Sequence, residues 1–193
     1  MKEIINELIQ IHHFQSYLEI GLGDGKNFES VQCNLKIGVD PKSDSIPIFT
    51  GITKPQDSDT FFEWYLKEVK KSPSDKFDLI FIDGLHHADQ VERDILNSWK
   101  CLNAGGMILI HDVKPSNKAM TCVPRGNQKE WTGDVFQAWH GLNETYPNLN
   151  TEYIDDPYGV GVIHKSRHRI KPGFVSDISF EWYFENQLWQ PKR

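Results

Sequence analysis

The sequence lacks the features of membrane-spanning, secreted and nucleic-acid-binding proteins. No apolar run among its 193 residues approaches the ~20 residues that a helix needs to span a bilayer. Charged residues stand within the first turns, where a signal peptide would be apolar. Its three cysteines are far apart and odd in number, which favours a reduced compartment. We therefore expect a cytoplasmic protein with no membrane partner.

The charge and composition exclude further classes. A net charge of −6 disfavours a nucleic-acid partner, which calls for a basic surface. Hydrophobic residues at 38% and charged residues at 25% are typical of a globular protein rather than a disordered one. We expect a single domain over residues 1–193, with an N-terminal helix over 1–14 and a C-terminal helical tail over 174–193. The oligomeric state stays open, a homo-oligomer included.

Strands and helices are predicted to alternate through residue 112. This alternation predicts an α/β, Rossmann-like, doubly wound and mostly parallel sheet with helices on both faces. Ligands of such sheets bind outside the carboxyl ends of the strands. The predicted elements are helix 4–11, strand 17–20, helix 27–32, strands 36–40 and 46–49, helix 60–71, strand 77–83, helix 91–102, strand 107–110, helix 134–142, strand 160–163 and helix 180–189.

A glycine-rich loop follows the first predicted strand and precedes a helix. It reads Glu19-Ile20-Gly21-Leu22-Gly23-Asp24-Gly25. Glycines permit a tight turn and a close approach of ligand to backbone. Asp40 ends the second predicted strand, where an acid can accept hydrogen bonds from both ribose hydroxyls. Together these features predict a nucleoside site; the alternative, a plain strand-to-helix turn, is disfavoured by the strand context and by Asp40.

The charges around the loop indicate which nucleoside binds. The dinucleotide fingerprint GxGxxG places its third glycine where Lys26 stands here. Acidic Glu19 and Asp24 would repel a pyrophosphate but suit an amino group or a sulfonium charge. The GK[ST] of a Walker A motif is absent. These observations predict S-adenosylmethionine as the ligand.

The glycine loop resembles the ExGxGxG motif of class I methyltransferases. The chain is similar to a group of small methyltransferases that are frequently associated with polysaccharide and glycan biosynthesis. The similarity extends over residues 14–164 and depends on motifs in a fixed order. These motifs are Ser58-Asp59-Thr60-Phe61-Phe62, Phe77 to His87, Gly105-Gly106, His111-Asp112, Trp131 to Val135 and Tyr158 to Val162.

The resemblance implies the class I methyltransferase fold and a set of donor-binding residues. It assigns the methionine moiety to the glycine loop, the ribose to Asp40 and the adenine to Ser58 and Asp59. Glu19 would act indirectly on the donor amino group, and Asp83 would lie at the methyl-transfer end. The implied donor-binding residues are Glu19, Gly21, Gly23, Gly25, Asn27, Asp40, Ser58, Asp59 and Asp83.

A more distant similarity is to metal-dependent O-methyltransferases of the catechol and macrolide-sugar types. Those enzymes place an acid after the fourth strand, a base three residues later and paired metal ligands after the fifth strand. Asp83, His86 and His111-Asp112 match that layout, which implies Asp83, His111 and Asp112 as metal ligands. His111 stands where an acid is usual, so Mg²⁺ fits the set less well than Mn²⁺, which tolerates imidazole. A metal-free site with His111 and Asp112 in supporting roles stays open.

We expect an O-methyltransferase that acts on a sugar or another small hydroxyl acceptor, free or within a glycan. His86 is the predicted general base, because imidazole can take a hydroxyl proton near neutral pH. Asp83 and Asp112 are predicted to hold the acceptor oxygen. Two alternatives stay open, namely a metal-free N-methyltransferase acting on a small amine and a nucleoside-binding domain without turnover.

Overall fold

The computed structural model describes residues 1–46, 48, 50–69 and 75–190. A π-helical turn, Tyr65–Val69, extends the third helix, and 3₁₀ turns cover Ser43–Ser45 and Lys118–Thr121. Among the described residues, no helix is both long enough and apolar enough to cross a bilayer. The elements are α1 (Lys2–His12), β1 (Ser16–Ile20), α2 (Lys26–Ser30), β2 (Leu35–Val39), β3 (Ile52–Lys54), α3 (Ser58–Trp64), β4 (Phe77–Ile82), α4 (Ala88–Cys101), β5 (Leu102–His111), α5 (Val135–Thr145), β6 (Thr151–Ile154), β7 (Val160–His164) and α6 (Phe180–Glu185).

The strands form one sheet in the order β3-β2-β1-β4-β5-β7-β6. Strands β1 to β5 pair in parallel, β7 is antiparallel to β5, and β6 is antiparallel to β7. This arrangement confirms the predicted doubly wound, mostly parallel sheet. The strand order reverses between β1 and β4, and sheets of this kind bind ligands at such a switch point.

Helices cover both faces of the sheet because the central strands are apolar on both faces. In β4, Ile80 and Ile82 join one buried cluster with residues of α3, α4 and α5. The alternate residues Leu79 and Phe81 join a second buried cluster with residues of α1 and α2. All four side chains are buried. Because successive side chains of a strand point to opposite faces, alternate residues of each central strand pack in the two layers of the core.

Four parallel strands end at one level of the sheet. Ile20 of β1 pairs with Val39 of β2 and with Ile82 of β4, and Ile82 pairs with Ile110 of β5. The residues that follow these four partners therefore lie side by side at the carboxyl edge of the sheet, where His111 is the last residue of β5. They include Gly21, Asp40, Asp83 and His111, which are site residues predicted from the sequence.

The predicted strand over 46–49 is wrong, and the third strand is β3 at Ile52–Lys54. The Ile48 amide donates to the Ile46 carbonyl at 2.9 Å, which closes a tight local turn instead of an extended strand. Pro47 between them has no N–H to give to a sheet ladder. Pro47 and Phe49 themselves lie outside the described residues.

The helix predicted over 60–71 is confirmed in part. It begins at Ser58, because the Asp57 side chain accepts the Thr60 amide at 2.7 Å and caps the first turn. Residues 70–74 lie outside the described residues, so the predicted end at Pro73 falls there.

Two other boundaries differ from the prediction. Helix α4 ends at Cys101 and β5 begins at Leu102, since Leu102 already pairs with Phe77 of β4. Helix α6 ends at Glu185 rather than residue 189, and Gln187 then adopts a left-handed φ of 51°. The sequence does not indicate β6, because its half-exposed residues include Thr151 and Glu152 and form no apolar run.

The segment before α6 crosses α5 at Gly141. A Cβ atom at this position would lie 1.7 Å from the Phe174 carbonyl oxygen. At an unconstrained helix position, replacement of glycine by alanine stabilises the helix by about 1 kcal/mol. Here the steric contact with backbone outweighs that gain, so Gly141→Ala should lower the free energy of unfolding by about 2 kcal/mol.

Urea unfolding of Gly141→Ala checks this expectation. Thr145→Ala, at an exposed position of the same helix, is the control and should stay within about 0.5 kcal/mol of the parent protein. A more stable Gly141→Ala variant would contradict the close crossing.

Candidate active site

A cavity of about 650 Å³ opens at the carboxyl edge of the sheet, at the switch point between β1 and β4. Its walls come from the glycine loop, from the residues after β2 and β4, and from a segment between β5 and α5. The lining residues are Glu19, Ile20, Gly21, Leu22, Gly23, Asp24, Asn27, Val39, Asp40, Pro41, Asp57, Ser58, Asp83, Gly84, Leu85, His86, Gln90, Arg125 and Trp131.

The glycine loop is packed against the end of β4. Gly21 has φ of +85°, and a Cβ there would lie 2.2 Å from the Asp83 carbonyl oxygen. The Gly21 amide donates to the Val39 carbonyl at 2.8 Å, and the Asp83 amide donates to the Ile20 carbonyl at 2.8 Å. Glycine is therefore required at this position both by backbone conformation and by space.

Asp40 joins the glycine loop to the turn after β2. Its Oδ2 accepts the Leu22 amide at 3.0 Å, and its Oδ1 accepts the Lys42 amide at 2.7 Å. Each carboxylate oxygen has a second lone pair, so both oxygens can still accept a ligand hydroxyl. The predicted ribose ligand thus lies in the cavity wall and also holds the loop in shape.

Glu19 is buried behind the loop in a small polar network. Its Oε2 accepts the Tyr17 hydroxyl at 2.6 Å and the Asn27 side-chain amide at 3.0 Å. Burial raises the pKa of Glu19 to about 8, against the lowering effect of these two hydrogen bonds. Glu19 is therefore mostly the neutral acid at pH 7, and it orients Asn27 at the cavity wall.

Ser58 and Gln90 also line the cavity. The Gln90 amide group lies 3.1 Å from Ser58 Oγ and 3.2 Å from Asp59 Oδ1. Ser58 lines the cavity as predicted, but the Asp59 carboxylate points to Arg93 at 3.2 Å and is absent from the lining. Asp57 lines the cavity instead. The sequence signal for Gln90 is its place in the first turn of the helix after β4.

The methyl-transfer end predicted from the sequence is a compact group of two acids and two histidines. Asp83 Oδ1 lies 3.3 Å from His86 Nε2 and 3.3 Å from His111 Nδ1. Asp112 Oδ2 lies 3.1 Å from His86 Nδ1, and its Oδ1 lies 3.4 Å from His111 Nδ1. All four predicted residues are therefore brought together.

Mutual contacts set the charges of this group. Burial alone would raise the pKa of Asp83 and lower those of the histidines. The hydrogen bonds outweigh burial, so the pKa of Asp83 falls to about 2, that of His111 rises to about 9, and that of His86 also rises. For Asp112 burial dominates, and its pKa rises to about 6.

Asp112 is held in an uncommon backbone conformation, with φ of +64° and 4% of its surface exposed. The backbone on its C-terminal side is fixed from two directions. The Tyr183 hydroxyl of α6 donates to the Val113 carbonyl at 2.6 Å, and the Lys114 amide donates to the Tyr158 carbonyl at 2.6 Å. The tail of the chain thus supports the Asp112 carboxylate.

Trp131 contacts His86 in two ways. The two rings stack with centroids 5.0 Å apart, and the Trp131 carbonyl lies 3.0 Å from His86 Nδ1. Both neighbours of Nδ1, the carbonyl and Asp112, are acceptors, so Nδ1 carries a proton. His86 Nε2 also faces an acceptor, Asp83 Oδ1 at 3.3 Å, so both ring nitrogens have partners that stabilise the protonated ring.

The metal set predicted from the sequence differs from the group that converges. Asp83, His86 and Asp112 each offer a ligand atom, and these atoms lie within 4.8 Å of one another. His111, predicted in place of His86, contacts both acids through Nδ1. Two carboxylates with an imidazole suit a divalent ion softer than Mg²⁺.

Comparisons with known proteins agree with this architecture. Residues 41–113 match a family model described as a methyltransferase domain. No curated protein gives a significant match. Among solved structures, a Podospora anserina methyltransferase bound to S-adenosylhomocysteine is 18% identical, with a TM-score of 0.60 over 86% of this chain and 77% of that one.

Two further structures carry names that specify oxygen as the methylated atom. A Bacillus cereus O-methyltransferase in complex with S-adenosylhomocysteine is 14% identical, with a TM-score of 0.56 over 85% of this chain and 80% of that one. The O-methyltransferase TomG from Streptomyces achromogenes, in complex with S-adenosylmethionine, is 9% identical, with a TM-score of 0.54 over 86% and 79%.

The chain therefore has the fold of class I methyltransferases, and its residues 41–113 match a methyltransferase domain.

Asp94 lies behind the Ser58 and Gln90 end of the cavity. It is 1% exposed, its Oδ1 accepts a hydrogen bond from Gln90 at 3.1 Å, and its Oδ2 has no partner among the described residues. Burial raises the pKa of Asp94 from 3.8 to about 7. Because the folded state keeps this proton longer than the unfolded state, Asp94 makes stability fall as pH rises from about 4 to about 7.

Asp94→Asn should remove this penalty. We expect the variant to exceed the parent protein by about 2 kcal/mol in free energy of unfolding at pH 8, and by less at pH 5. Urea unfolding at the two pH values measures the difference, with Asp89→Asn, an exposed acid of the same helix, as control. Equal gains at both pH values would contradict the assignment.

Proposed function

We propose that the protein transfers the methyl group of S-adenosylmethionine to a hydroxyl oxygen of a sugar or a similar small acceptor. The observation that carries this proposal is the convergence of Asp83, His86 and Asp112 beside the glycine loop. The donor site and a proton-accepting group thus share one cavity, as an alcohol acceptor requires.

The donor is assigned to the glycine loop and its neighbours. Asp40 has lone pairs for the ribose hydroxyls, and Asn27, oriented by Glu19, faces the methionine moiety. Ser58, with Gln90 behind it, is assigned to the adenine. The bound S-adenosyl ligands named for the Bacillus and Streptomyces proteins support this donor.

The reaction is an in-line displacement. The acceptor oxygen attacks the methyl carbon, the carbon–sulfur bond breaks, and its electron pair stays on sulfur to give S-adenosylhomocysteine. The hydroxyl proton goes to Nε2 of the neutral His86 ring, whose Nδ1 carries the ring proton. Asp83, 3.3 Å from Nε2, and Asp112, 3.1 Å from Nδ1, stabilise the imidazolium that forms.

A divalent cation fits the acidic side of the group. Because Nε2 of His86 cannot accept a proton and bind a cation at once, we assign the cation to Asp83 and Asp112, with His111 as the imidazole ligand. When bound, the cation would lower the pKa of the acceptor hydroxyl. Mn²⁺ suits this mixed donor set better than Mg²⁺.

Other supports concern the acceptor and its setting. The two comparison enzymes named O-methyltransferases favour oxygen over nitrogen, and the resemblance to glycan-modifying methyltransferases favours a sugar, free or within a glycan. The net charge of −6 disfavours a nucleic acid. All three cysteines carry free thiols, in keeping with the expected cytoplasmic location.

Asp40 provides the first test of the donor site. Asp40→Ala removes the acceptor for both ribose hydroxyls, so S-adenosylhomocysteine should bind about a hundredfold more weakly, by ~2–3 kcal/mol. Calorimetry measures the affinity. Asp44→Ala, a nearby exposed acid outside the cavity, is the control and should bind normally. No binding of S-adenosylhomocysteine to the parent protein, together with tight binding of NAD, would overturn the donor assignment.

His86 provides the test of the chemistry. His86→Ala should lower kcat by ~10²–10⁴ while the affinity for S-adenosylhomocysteine hardly changes. Release of S-adenosylhomocysteine with a panel of sugars and amines measures turnover, and His87→Ala, outside the cavity lining, is the matched control.

The same assay with a chelator separates the base from the cation. Loss of activity in chelator and recovery with Mn²⁺ are expected. Full activity in chelator would contradict the role of the cation but not that of His86 as base. Turnover near the parent value in His86→Ala would contradict the role of His86 as general base. Turnover on amines alone would contradict the proposal that the acceptor is an alcohol.

A further inference from the structure

We infer that Arg125 binds an anionic group of the acceptor, so that the substrate is a hydroxylated compound that also carries a carboxylate or a phosphate. This inference rests on the proposed function and narrows its substrate class.

The cavity is strongly acidic, which makes its one permanent cation informative. Among the described residues that line it, Arg125 is the only lysine or arginine. A purely acidic wall would repel an anionic ligand, and a single guanidinium supplies a specific place for one. The acidic lining residues are Asp24, Asp40, Asp57 and Asp83, together with Glu19, which is mostly neutral at pH 7.

The guanidinium of Arg125 has no carboxylate within 4.0 Å among the described residues, whereas Arg93 pairs with both Asp59 and Asp89. Arg125 Nη2 donates to the Lys129 carbonyl at 3.1 Å. A guanidinium has five N–H groups, so enough remain for a two-pronged contact with a carboxylate or a phosphate.

The position of Arg125 points to the acceptor rather than to the nucleoside. Its Cζ lies 5.6 Å from the centre of the Trp131 ring, and that ring stacks on His86. The guanidinium therefore shares one indole with the proposed base. Asp40, assigned to the ribose, follows β2, and Ser58, assigned to the adenine, is the first residue of α3 after β3.

The loop that carries Arg125 is tied to the site. Trp131 Nε1 donates to the Cys122 carbonyl at 2.6 Å, which closes the segment between these two residues. The Thr132 and Gly133 amides donate to the Met120 carbonyl at 3.1 and 3.0 Å. An acceptor held at Arg125 is thus positioned relative to His86 by a connected set of contacts.

Paired acceptors test the inference. Each pair joins a neutral compound to its anionic counterpart: glucose with glucuronate, glucose with glucose 6-phosphate, and catechol with dihydroxybenzoate. In the pair whose members are methylated, we expect kcat/KM to be about ten- to a hundredfold higher for the anionic compound than for its neutral counterpart. In Arg125→Ala this preference should fall to near one, mainly through a higher KM, and Arg125→Lys should recover part of it.

Lys129→Ala is the matched control, because it removes one positive charge from the same exposed loop outside the cavity lining and should keep the preference. Binding of the same compounds to protein saturated with S-adenosylhomocysteine gives a readout that needs no turnover. There glucuronate or glucose 6-phosphate should bind at least tenfold more tightly than glucose.

Three outcomes would overturn the inference. The first is no preference for the anionic member of any pair in the parent protein. The second is an equal loss of activity on neutral and anionic acceptors in Arg125→Ala, which would indicate a structural role. The third is weaker binding of S-adenosylhomocysteine but not of methylthioadenosine in Arg125→Ala, which would assign the charge to the donor carboxylate. Failure of the proposed function can be distinguished from these outcomes, because the parent protein would then not bind S-adenosylhomocysteine.

Discussion

The site depends on the level at which four parallel strands end. Ile20, Val39, Ile82 and Ile110 lie in one row of paired residues, so the chain leaves β1, β2, β4 and β5 side by side. A slip of one residue in any of these pairings would exchange the side chains that pack in the two layers of the core. Packing on both faces therefore fixes the row, and the row fixes where the polar residues emerge.

The glycine loop after β1 packs directly against the end of β4 at the carboxyl edge of the sheet. Gly21 approaches the Asp83 carbonyl so closely that no side chain fits between them. The glycine loop and the residues after β4 consequently form one continuous wall of the cavity. Ser58 and Gln90, which are neutral hydrogen-bonding groups, line the same cavity as Asp83 and His86. The proposed nucleoside site and the proposed site of proton transfer therefore share one cavity.

Much of this arrangement could be predicted from the sequence, because it follows from patterns local in the chain. Apolar runs mark β1, β2 and β4, and the residues that directly follow them, Gly21, Asp40 and Asp83, line the cavity. The third strand could not be located in this way. Ile46 and Ile48 are apolar because they pack near Gly25, not because they pair in the sheet.

Contacts between distant segments could not be predicted either. Gln90 reaches Ser58 across 32 positions of sequence, and Trp131 stacks on His86 across 45. The choice between His86 and His111 as partners of the two acids likewise depends on loop geometry. The sequence pattern points to both histidines but does not show which of them joins the two acids.

The hydrogen bond from Tyr183 to the Val113 carbonyl has a consequence for synthesis of the chain. It fixes the backbone beside Asp112 from a helix that follows it by about seventy residues. A nascent chain on the ribosome can assemble the glycine loop and β1 to β4 early, because those segments are contiguous. The backbone beside Asp112 can accept the hydrogen bond from Tyr183 only when residue 183 has left the ribosome. In the order of synthesis, this support for the backbone beside Asp112 therefore comes after the segments that form the glycine loop and β1 to β4.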